Sequence, residues 1–186
     1  MTALPSFTPA TVPGAGLVTV PWHTDRRGSF TKPFSPDVLR ALGSEFHVAE
    51  VYWSGSATGT IRGMHLQAPP HALRKLVFVV AGRIRDVVVD VRRGSPTYGQ
   101  IATWDLEPSG RAVLVPSGCA HGFEVLEGPA AMCYVQDGGF DAETDGGVRW
   151  DSVGAPWTTA APLVSDRDAA LPRLDEYESP FVWEAT

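Results

Sequence analysis

Residues 86–96 read Asp86-Val87-Val88-Val89-Asp90-Val91-Arg92-Arg93-Gly94-Ser95-Pro96, a β-branched run that ends in a turn. Valine is stiff at χ1 and fits the pleated surface of a sheet, so the run predicts a strand that is buried on at least one face. Gly, Ser and Pro directly after it are typical turn residues. The same pairing of a short apolar strand with an explicit turn recurs along the chain and decides the fold class.

Strand patterns and turn signals alternate from residue 46 to residue 136 at the spacing of an all-β protein. The predicted strands cover residues 48–54, 60–67, 74–81, 82–92, 98–106, 112–115, 122–126 and 131–136. Their number fits an all-β, eight-stranded double-sheet jelly roll of the cupin type with short flanking helices. Such a barrel can hold one small ligand in its mouth or interior.

The regions on either side are organised differently. Residues 1–16 contain three prolines and no hydrophobic period, which predicts an N-terminal arm, and residues 17–186 then form a single domain. We expect a strand at residues 17–21 and a turn at 25–28. Ser35 and Pro36 predict the start of a helix that ends at Gly43. A short terminal helix is expected to begin within residues 163–168.

Composition and charge limit the classes of partner. The net charge is −6, so the surface as a whole does not favour nucleic acid or an anionic membrane. Cys119 and Cys133 both lie in apolar stretches, which predicts free thiols and a reducing compartment. The first twenty residues lack the features of a signal peptide, and no apolar run approaches the length of a membrane span. We expect a soluble, cytoplasmic protein.

Candidate chemical groups lie on several of the predicted strands. His65 follows Arg62 on one strand, Lys75 lies near the start of the next, and His121 lies on a later strand. An imidazole base with nearby cations suits removal of a proton beside a carbonyl in an anionic substrate. Lys75 precedes the apolar run 76–80, so its ammonium needs a negative partner such as an anionic ligand or an enolate.

Strand geometry places a condition on this grouping. Side chains alternate between the two faces of a strand, so His65 and Gln67 share one face while Arg62 points to the other. Arg62 and His65 can therefore share a cavity only if the strand twists or bulges near Gly63.

Many cupins hold a metal ion through a His-X-His pair, a Glu and a third His. In this chain Gln67 stands where the second histidine of the pair would be, and His121 is alone on its strand. A catalytic metal usually needs three protein ligands. The sequence predicts neither a metal nor any other cofactor.

Several motifs in the same order resemble the dTDP-4-dehydrorhamnose 3,5-epimerase family. The resemblance extends from about residue 17 to about residue 175, and its motifs are Asp25-Arg26-Arg27-Gly28, residues 61–70, Lys75-Leu76-Val77, residues 86–99, residues 115–123 and Arg149-Trp150-Asp151. It implies a cupin-type jelly roll, a homodimer, no metal, and a nucleotide-diphosphate-linked 4-keto-6-deoxyhexose as the substrate. Epimerisation at C3 or C5 of such a sugar removes a proton acidified by the C4 ketone and returns one to the opposite face.

The resemblance also implies roles for individual residues. His65 matches the base, and Asp168 matches the carboxylate that orients it, with Asp166 as the alternative. Lys75 matches the cation beside the developing enolate, and Tyr134 matches the acid on the opposite face. The residues assigned to substrate binding on this basis are Arg27 and Arg62 for the diphosphate, Phe30 for the nucleotide, Gln67, and His121 for the enolate oxygen or the sugar hydroxyls.

The chain departs from the family pattern at positions that contact the nucleotide. Lys32, Glu50 and Tyr52 stand where the family commonly has Glu, Gln and Asn, and we assign all three to substrate binding. Residues 138–140 occupy the place of a second aromatic. A nucleotide other than thymidine and epimerisation at one carbon therefore stay open. The remaining alternatives are a related keto-isomerase, a non-catalytic sugar-binding cupin and a metal-dependent cupin.

Overall fold

The structure, a computed structural model, describes residues 4–43 and 46–184. Within them, a 3-10 helix (Trp150–Ser152), two short α-helices and eleven strands form the chain. The helices are α1 (Pro36–Leu42) and α2 (Asp166–Ala169). The strands are β1 (Ser6–Pro9), β2 (Gly16–Thr19), β3 (Trp22–Asp25), β4 (Gly28–Thr31), β5 (Glu50–Ser56), β6 (Ile61–Gln67), β7 (Lys75–Asp90), β8 (Ile101–Leu106), β9 (Arg111–Val115), β10 (Cys119–Gln136) and β11 (Asp145–Gly147).

Two long antiparallel strands, β7 and β10, form the centre of the fold. The half of β7 that begins at Lys75 pairs with β9, and β2 and β1 lie beyond β9. The half that ends at Asp90 pairs with β8. On β10, the first half pairs with β6, which β11 joins, and the second half pairs with β5. These two halves form the predicted cupin-type double-sheet jelly roll, so the predicted fold class is confirmed.

The valine run that predicts the fold class is buried on both of its faces. Val88 belongs to a core cluster with Val77, Val113 and Phe123. Its neighbours at positions 87 and 89 pack into a second cluster on the other side of the sheet. Val148, Val153 and Phe181, which lie outside the strands and helices, pack against this second face and explain why it is buried as well.

Four of the predicted strands merge into two in the structure. Residues 74–81 and 82–92 form the single strand β7, and residues 122–126 and 131–136 both belong to β10. At Gly82, φ is 75°, and an added Cβ would lie 2.7 Å from Cα of Ala130. Glycine therefore permits a bend with close backbone contact without ending the strand.

The predicted helix is confirmed as α1. Ser35 Oγ accepts a hydrogen bond from the Val38 N–H at 3.4 Å, and Gly43 ends the helix with φ of 64°. The predicted terminal helix begins at Asp166 as α2, after the N-cap Ser165. The sequence does not predict β11 or the 3-10 helix, because residues 137–152 are polar and glycine-rich.

The described part of the predicted N-terminal arm is packed on the sheet of its own chain. β1 pairs with β2, and Val12 and Ala15 are fully buried in the core. The turn at residues 25–28 joins β3 and β4, a hairpin that forms a separate two-stranded sheet. In the described ranges, no helix is both long and apolar enough to cross a membrane.

Candidate active site

Two adjoining cavities open between the strands of the jelly roll. The larger has a volume of about 370 Å³ and is lined by residues of β5, β6, β7, β10, β11 and α2 and of their connections. The smaller has a volume of about 170 Å³. Tyr52, His65 and Lys75 line both cavities. A ligand that fills the larger cavity therefore reaches groups that also face the smaller one.

His65 and Asp168 form a hydrogen-bonded pair at the wall of these cavities. His65 Nε2 lies 2.7 Å from Oδ1 of Asp168, whose side chain is almost completely buried. The other carboxylate oxygen accepts the N–H of Gly63 at 3.0 Å. Burial raises the pKa of Asp168. The hydrogen bonds from His65 and Gly63 together lower it by more than burial raises it, so the pKa lies below its usual value. An ionised carboxylate on Nε2 leaves Nδ1 of His65 as the nitrogen that can accept a proton.

The strand irregularity that the sequence requires near Gly63 is present. Gly63 has φ of 128°, and the register between β6 and β10 shifts between the pairs His121–His65 and Phe123–Arg62. An added Cβ at Gly63 would lie 2.5 Å from Cα of Gly122. Because the alternation of faces is broken here, Arg62 and His65 line the same cavity.

A second imidazole and carboxylate pair lies beside the first. His121 is the direct cross-strand neighbour of His65, and its Nε2 lies 2.8 Å from Oδ2 of Asp86. Both residues are buried. Oδ1 of Asp86 is also buried and makes no hydrogen bond within the described part of the chain. The pair fixes the orientation of the His121 ring, which faces the smaller cavity.

Lys75 supplies a cation to both cavities. Burial lowers its pKa to about 8; the Asp145 carboxylate opposes this effect, and the charge of Arg167 adds to it. Arg167 also binds Asp145 directly, with 2.5 Å between Nη2 and Oδ2. An ammonium held with so little compensation favours a ligand that develops negative charge.

Tyr134 faces the smaller cavity from β10. Its ring is stacked on that of Tyr52, with centroids 4.6 Å apart, and its hydroxyl lies 3.4 Å from Oγ of Ser54. Burial raises the pKa of Tyr134, so the phenol keeps its proton at neutral pH. Burial also raises the pKa of Tyr52, to about 12.

Two residues assigned to substrate binding, Glu50 and Gln67, line the larger cavity and also hold a loop at its mouth. Oε1 and Oε2 of Glu50 accept hydrogen bonds from the Phe140 N–H and from Nε2 of Gln136, each at 3.0 Å. Gln67 donates to the carbonyl of Gly139 at 2.9 Å and accepts the N–H of Asp141 at 2.9 Å. Together the two side chains hold the backbone of three consecutive residues.

Three other predicted binding residues lie away from both cavities in this chain. Arg27, Phe30 and Lys32 are on or next to the β3–β4 hairpin. Arg27 is paired with Asp25, and its side chain is 84% exposed. Phe30 is 59% exposed, and Lys32 Nζ lies 5.9 Å from its ring centroid. One protomer alone therefore does not bring these groups to His65.

Sequence reasoning missed several residues that line the larger cavity, among them the aromatic Phe140 and the charged Asp145 and Arg167. Phe140 lies six residues after Tyr134, at the spacing where a second aromatic is expected, and it is an aromatic. Arg167 precedes Asp168 directly, which is a usable local signal. No local signal in the sequence indicates Asp145, because it lies in a polar, glycine-rich segment.

Comparison with known proteins decides the family. A profile of dTDP-4-dehydrorhamnose 3,5-epimerase matches residues 9–176. The chain belongs to the dTDP-4-dehydrorhamnose 3,5-epimerase family. It is therefore an isomerase, an epimerase that acts on a sugar in deoxysugar biosynthesis, as the sequence predicts.

Individual members of the epimerase family match most of the chain. The dTDP-4-dehydrorhamnose 3,5-epimerase of Sinorhizobium fredii is 36% identical over 162 residues, which cover 84% of this chain and 83% of the relative. A 4-keto-6-deoxy sugar epimerase from the novobiocin gene cluster of Streptomyces spheroides superposes with a TM-score of 0.89 at 32% identity, covering 95% of this chain and 90% of the other. A 3'-monoepimerase of Streptomyces bikiniensis in complex with dTDP-quinovose has a TM-score of 0.84 at 31% identity, covering 90% and 87%.

The site of this epimerase family member brings together an imidazole, a phenol and a buried amine. His65, Tyr134 and Lys75 all line the smaller cavity. Within residues 4–43 and 46–184, no group of three His, Cys, Asp or Glu side chains is arranged to hold a metal ion. The absence of any cofactor stays a prediction.

Proposed function

We propose that this epimerase inverts C3, C5 or both in a dTDP-linked 4-keto-6-deoxyhexose. The observation that carries the proposal is the pair His65–Asp168 at a cavity that Lys75 and Tyr134 also line. This set contains a group for each step of an enolisation: proton removal, stabilisation of the enolate and proton return.

The proposed reaction proceeds through an enolate. Nδ1 of His65 takes the proton from the carbon beside the ketone; the electron pair of the broken C–H bond forms a C=C bond to C4, and the π pair of the carbonyl moves to the C4 oxygen. Lys75 stabilises that oxyanion, which can lower the barrier by about 3 kcal/mol in a dry site. The enolate then collapses to the ketone as Tyr134 donates its phenolic proton to the same carbon from the opposite face. Proton exchange with solvent restores neutral His65 and Tyr134.

Thymidine is the proposed nucleoside because a structural relative binds it, and because Glu50, one of the three departures from the family pattern, has a structural role. Both carboxylate oxygens of Glu50 accept hydrogen bonds from the protein itself. The relative from Streptomyces bikiniensis binds a dTDP sugar. That relative inverts one carbon, so epimerisation at C3 alone is the second candidate.

The proposed active unit is a homodimer in the cytoplasm. The β3–β4 hairpin exposes Arg27 and Phe30, while the edge strand β5 exposes Trp53 (77%) and Val51 (61%). Unpaired edges with exposed apolar residues favour association, and a two-fold axis uses the same surfaces on both copies. In such a dimer the hairpin of one protomer covers β5 of its partner and brings Arg27 and Phe30 to the cavity beside Tyr52. A reducing compartment fits the free thiols of Cys119 and Cys133.

Incubation with a dTDP-linked 4-keto-6-deoxyhexose in D₂O tests the proposed reaction. Proton NMR should show deuterium at C3, C5 or both, with the carbonyl still at C4. A product with the carbonyl at another carbon would identify a keto-isomerase instead. Absence of exchange with dTDP, UDP, CDP and GDP sugars alike would exclude the epimerisation.

A further inference from the structure

Glu124 is a fully buried carboxylate on β10 that has no part in the proposed chemistry. Its oxygens accept hydrogen bonds from two consecutive threonines. The Thr158 N–H lies 2.9 Å from Oε2, and the Thr158 hydroxyl and the Thr159 N–H lie 2.8 Å and 2.7 Å from Oε1. The partners are 34 and 35 residues away in sequence. Glu124 therefore anchors a distant loop to the barrel wall.

The anchored loop leads directly to the carboxylate of the base pair. Leu163 accepts the Ile61 N–H at 3.0 Å and donates to the Gly59 carbonyl at 2.9 Å, which fixes the loop along the start of β6. Ser165 then caps α2 by accepting the Asp168 N–H at 3.1 Å. The path from Thr158 to Asp168 is thus held at its start, its middle and its end.

We propose that Glu124 is a positioning residue for the active-site base: it fixes the start of segment 158–168, whose end presents Asp168 to His65. This inference depends on the proposed role of His65 as the base. Glu124 lies on β10 opposite Ile61 of β6, the strand that also carries His65. The Glu124 carboxylate therefore ties the loop to β10, which bears His121 and pairs with the strand that bears His65.

Only an ionised carboxylate satisfies all of these donors. Three N–H and O–H groups converge on its two oxygens, and a carboxylate is acceptor-only with four lone-pair sites. Burial raises the pKa of Glu124. The hydrogen bonds from the two threonines together lower it by more than burial raises it, so the pKa lies below its usual value. The amide of glutamine would turn an NH₂ group towards these donors and displace the loop.

A double-mutant cycle tests the inference. In the full-length enzyme, Glu124→Gln should lower kcat by about tenfold with little change in KM, because a small misplacement of a catalytic group slows the chemical step. In the Asp168→Asn background the same substitution should have almost no further effect, since its target is already lost. An equal loss in both backgrounds, or an unchanged kcat in the single variant, would overturn the proposal. If the unmutated enzyme does not exchange deuterium into the keto sugar in D₂O, the proposed function itself is contradicted.

Two further variants separate positioning from general destabilisation. Asp90→Asn disrupts another buried carboxylate, which binds Arg92, Ser95 and Thr97 and lines neither cavity. It should lower the thermal unfolding temperature and leave the ¹⁵N shifts of the His65 ring unchanged, whereas Glu124→Gln should alter those shifts. Thr158→Val removes only the hydroxyl donor and should give a smaller fall in kcat. Equal changes in the His65 shifts for Asp90→Asn and Glu124→Gln would also overturn the proposal.

Discussion

Oδ1 of Asp168 lies 2.7 Å from Nε2 of His65, a residue 103 positions earlier in the chain. The second oxygen of the same carboxylate accepts the N–H of Gly63. Asp168 therefore orients both the ring of His65 and the irregular backbone that carries it. A buried carboxylate in this position stabilises the imidazolium that forms when the ring accepts a proton.

Removal of the imidazole should abolish most of the activity without loss of the fold. We expect His65→Ala to lower turnover by roughly 10²–10⁴-fold, the usual contribution of a general base. Deuterium exchange and product formation, both followed by NMR, measure the effect. His47→Ala is the matched control, because His47 is exposed and lines neither cavity. Near-normal turnover in His65→Ala would show that another group is the base.

Tyr134→Phe should separate proton removal from inversion. Phenylalanine keeps the ring stacked on Tyr52 and loses only the hydroxyl that donates the proton. We expect epimer formation to fall by at least about 100-fold. Deuterium should still enter the unchanged epimer, because His65 can return a solvent deuteron to the face from which it took the proton. Loss of both reactions together would assign the first proton transfer to Tyr134, and Tyr98→Phe on the exposed surface is the control.

Lys75 should set an alkaline limit on turnover. Burial, as the largest cause, lowers its pKa to about 8, so the ammonium is present below that pH and is lost as the pH rises through it. Because the charged form stabilises the enolate and this pKa is that of the free enzyme, kcat/KM should fall on the alkaline side of about pH 8. Lys75→Arg should have a lower kcat/KM without this alkaline limb, since guanidinium keeps its charge. An unchanged alkaline limb in Lys75→Arg would assign the limb to another group.

Local sequence patterns predict the strands between residues 50 and 136 and helix α1, because caps, turns and β-branched runs act over a few residues. Strand alternation alone places Arg62 and His65 on opposite faces. The sequence predicts that they share a cavity only if the strand bulges at Gly63. The contacts of Glu50 have no local signal, since its partners are 86 and 90 residues away. Only the family resemblance indicates roles for Asp168 and Tyr134, because neither lies in a local pattern that distinguishes it from a helix-terminal charge or a core tyrosine.

Gln67 should affect substrate binding more than chemistry. Gln67→Ala removes the hydrogen bonds to Gly139 and Asp141 and loosens the loop that carries Phe140 over the larger cavity, which only Glu50 then holds. We expect KM to rise about tenfold, equivalent to about 1.4 kcal/mol of binding free energy, with kcat changed less. Steady-state kinetics measure the two parameters. Phe140→Ala should show the same pattern, and a fall in kcat alone in both variants would contradict this role of the loop.

The proposed exchange of the β3–β4 hairpin between protomers has a direct test by complementation. Phe30→Ala damages the hairpin and leaves His65 intact, whereas His65→Ala does the reverse. If the hairpin serves the partner's cavity, each heterodimer has one site with both residues intact. Random mixing should then restore roughly a quarter of the normal activity, because half of the dimers are mixed and each has one good site of two. Trp53→Glu, on the exposed edge of β5, should give monomers by sedimentation and prevent the restoration. If the two variants form mixed dimers and activity is still not restored, the hairpin acts on the cavity of its own chain or has no role in the site.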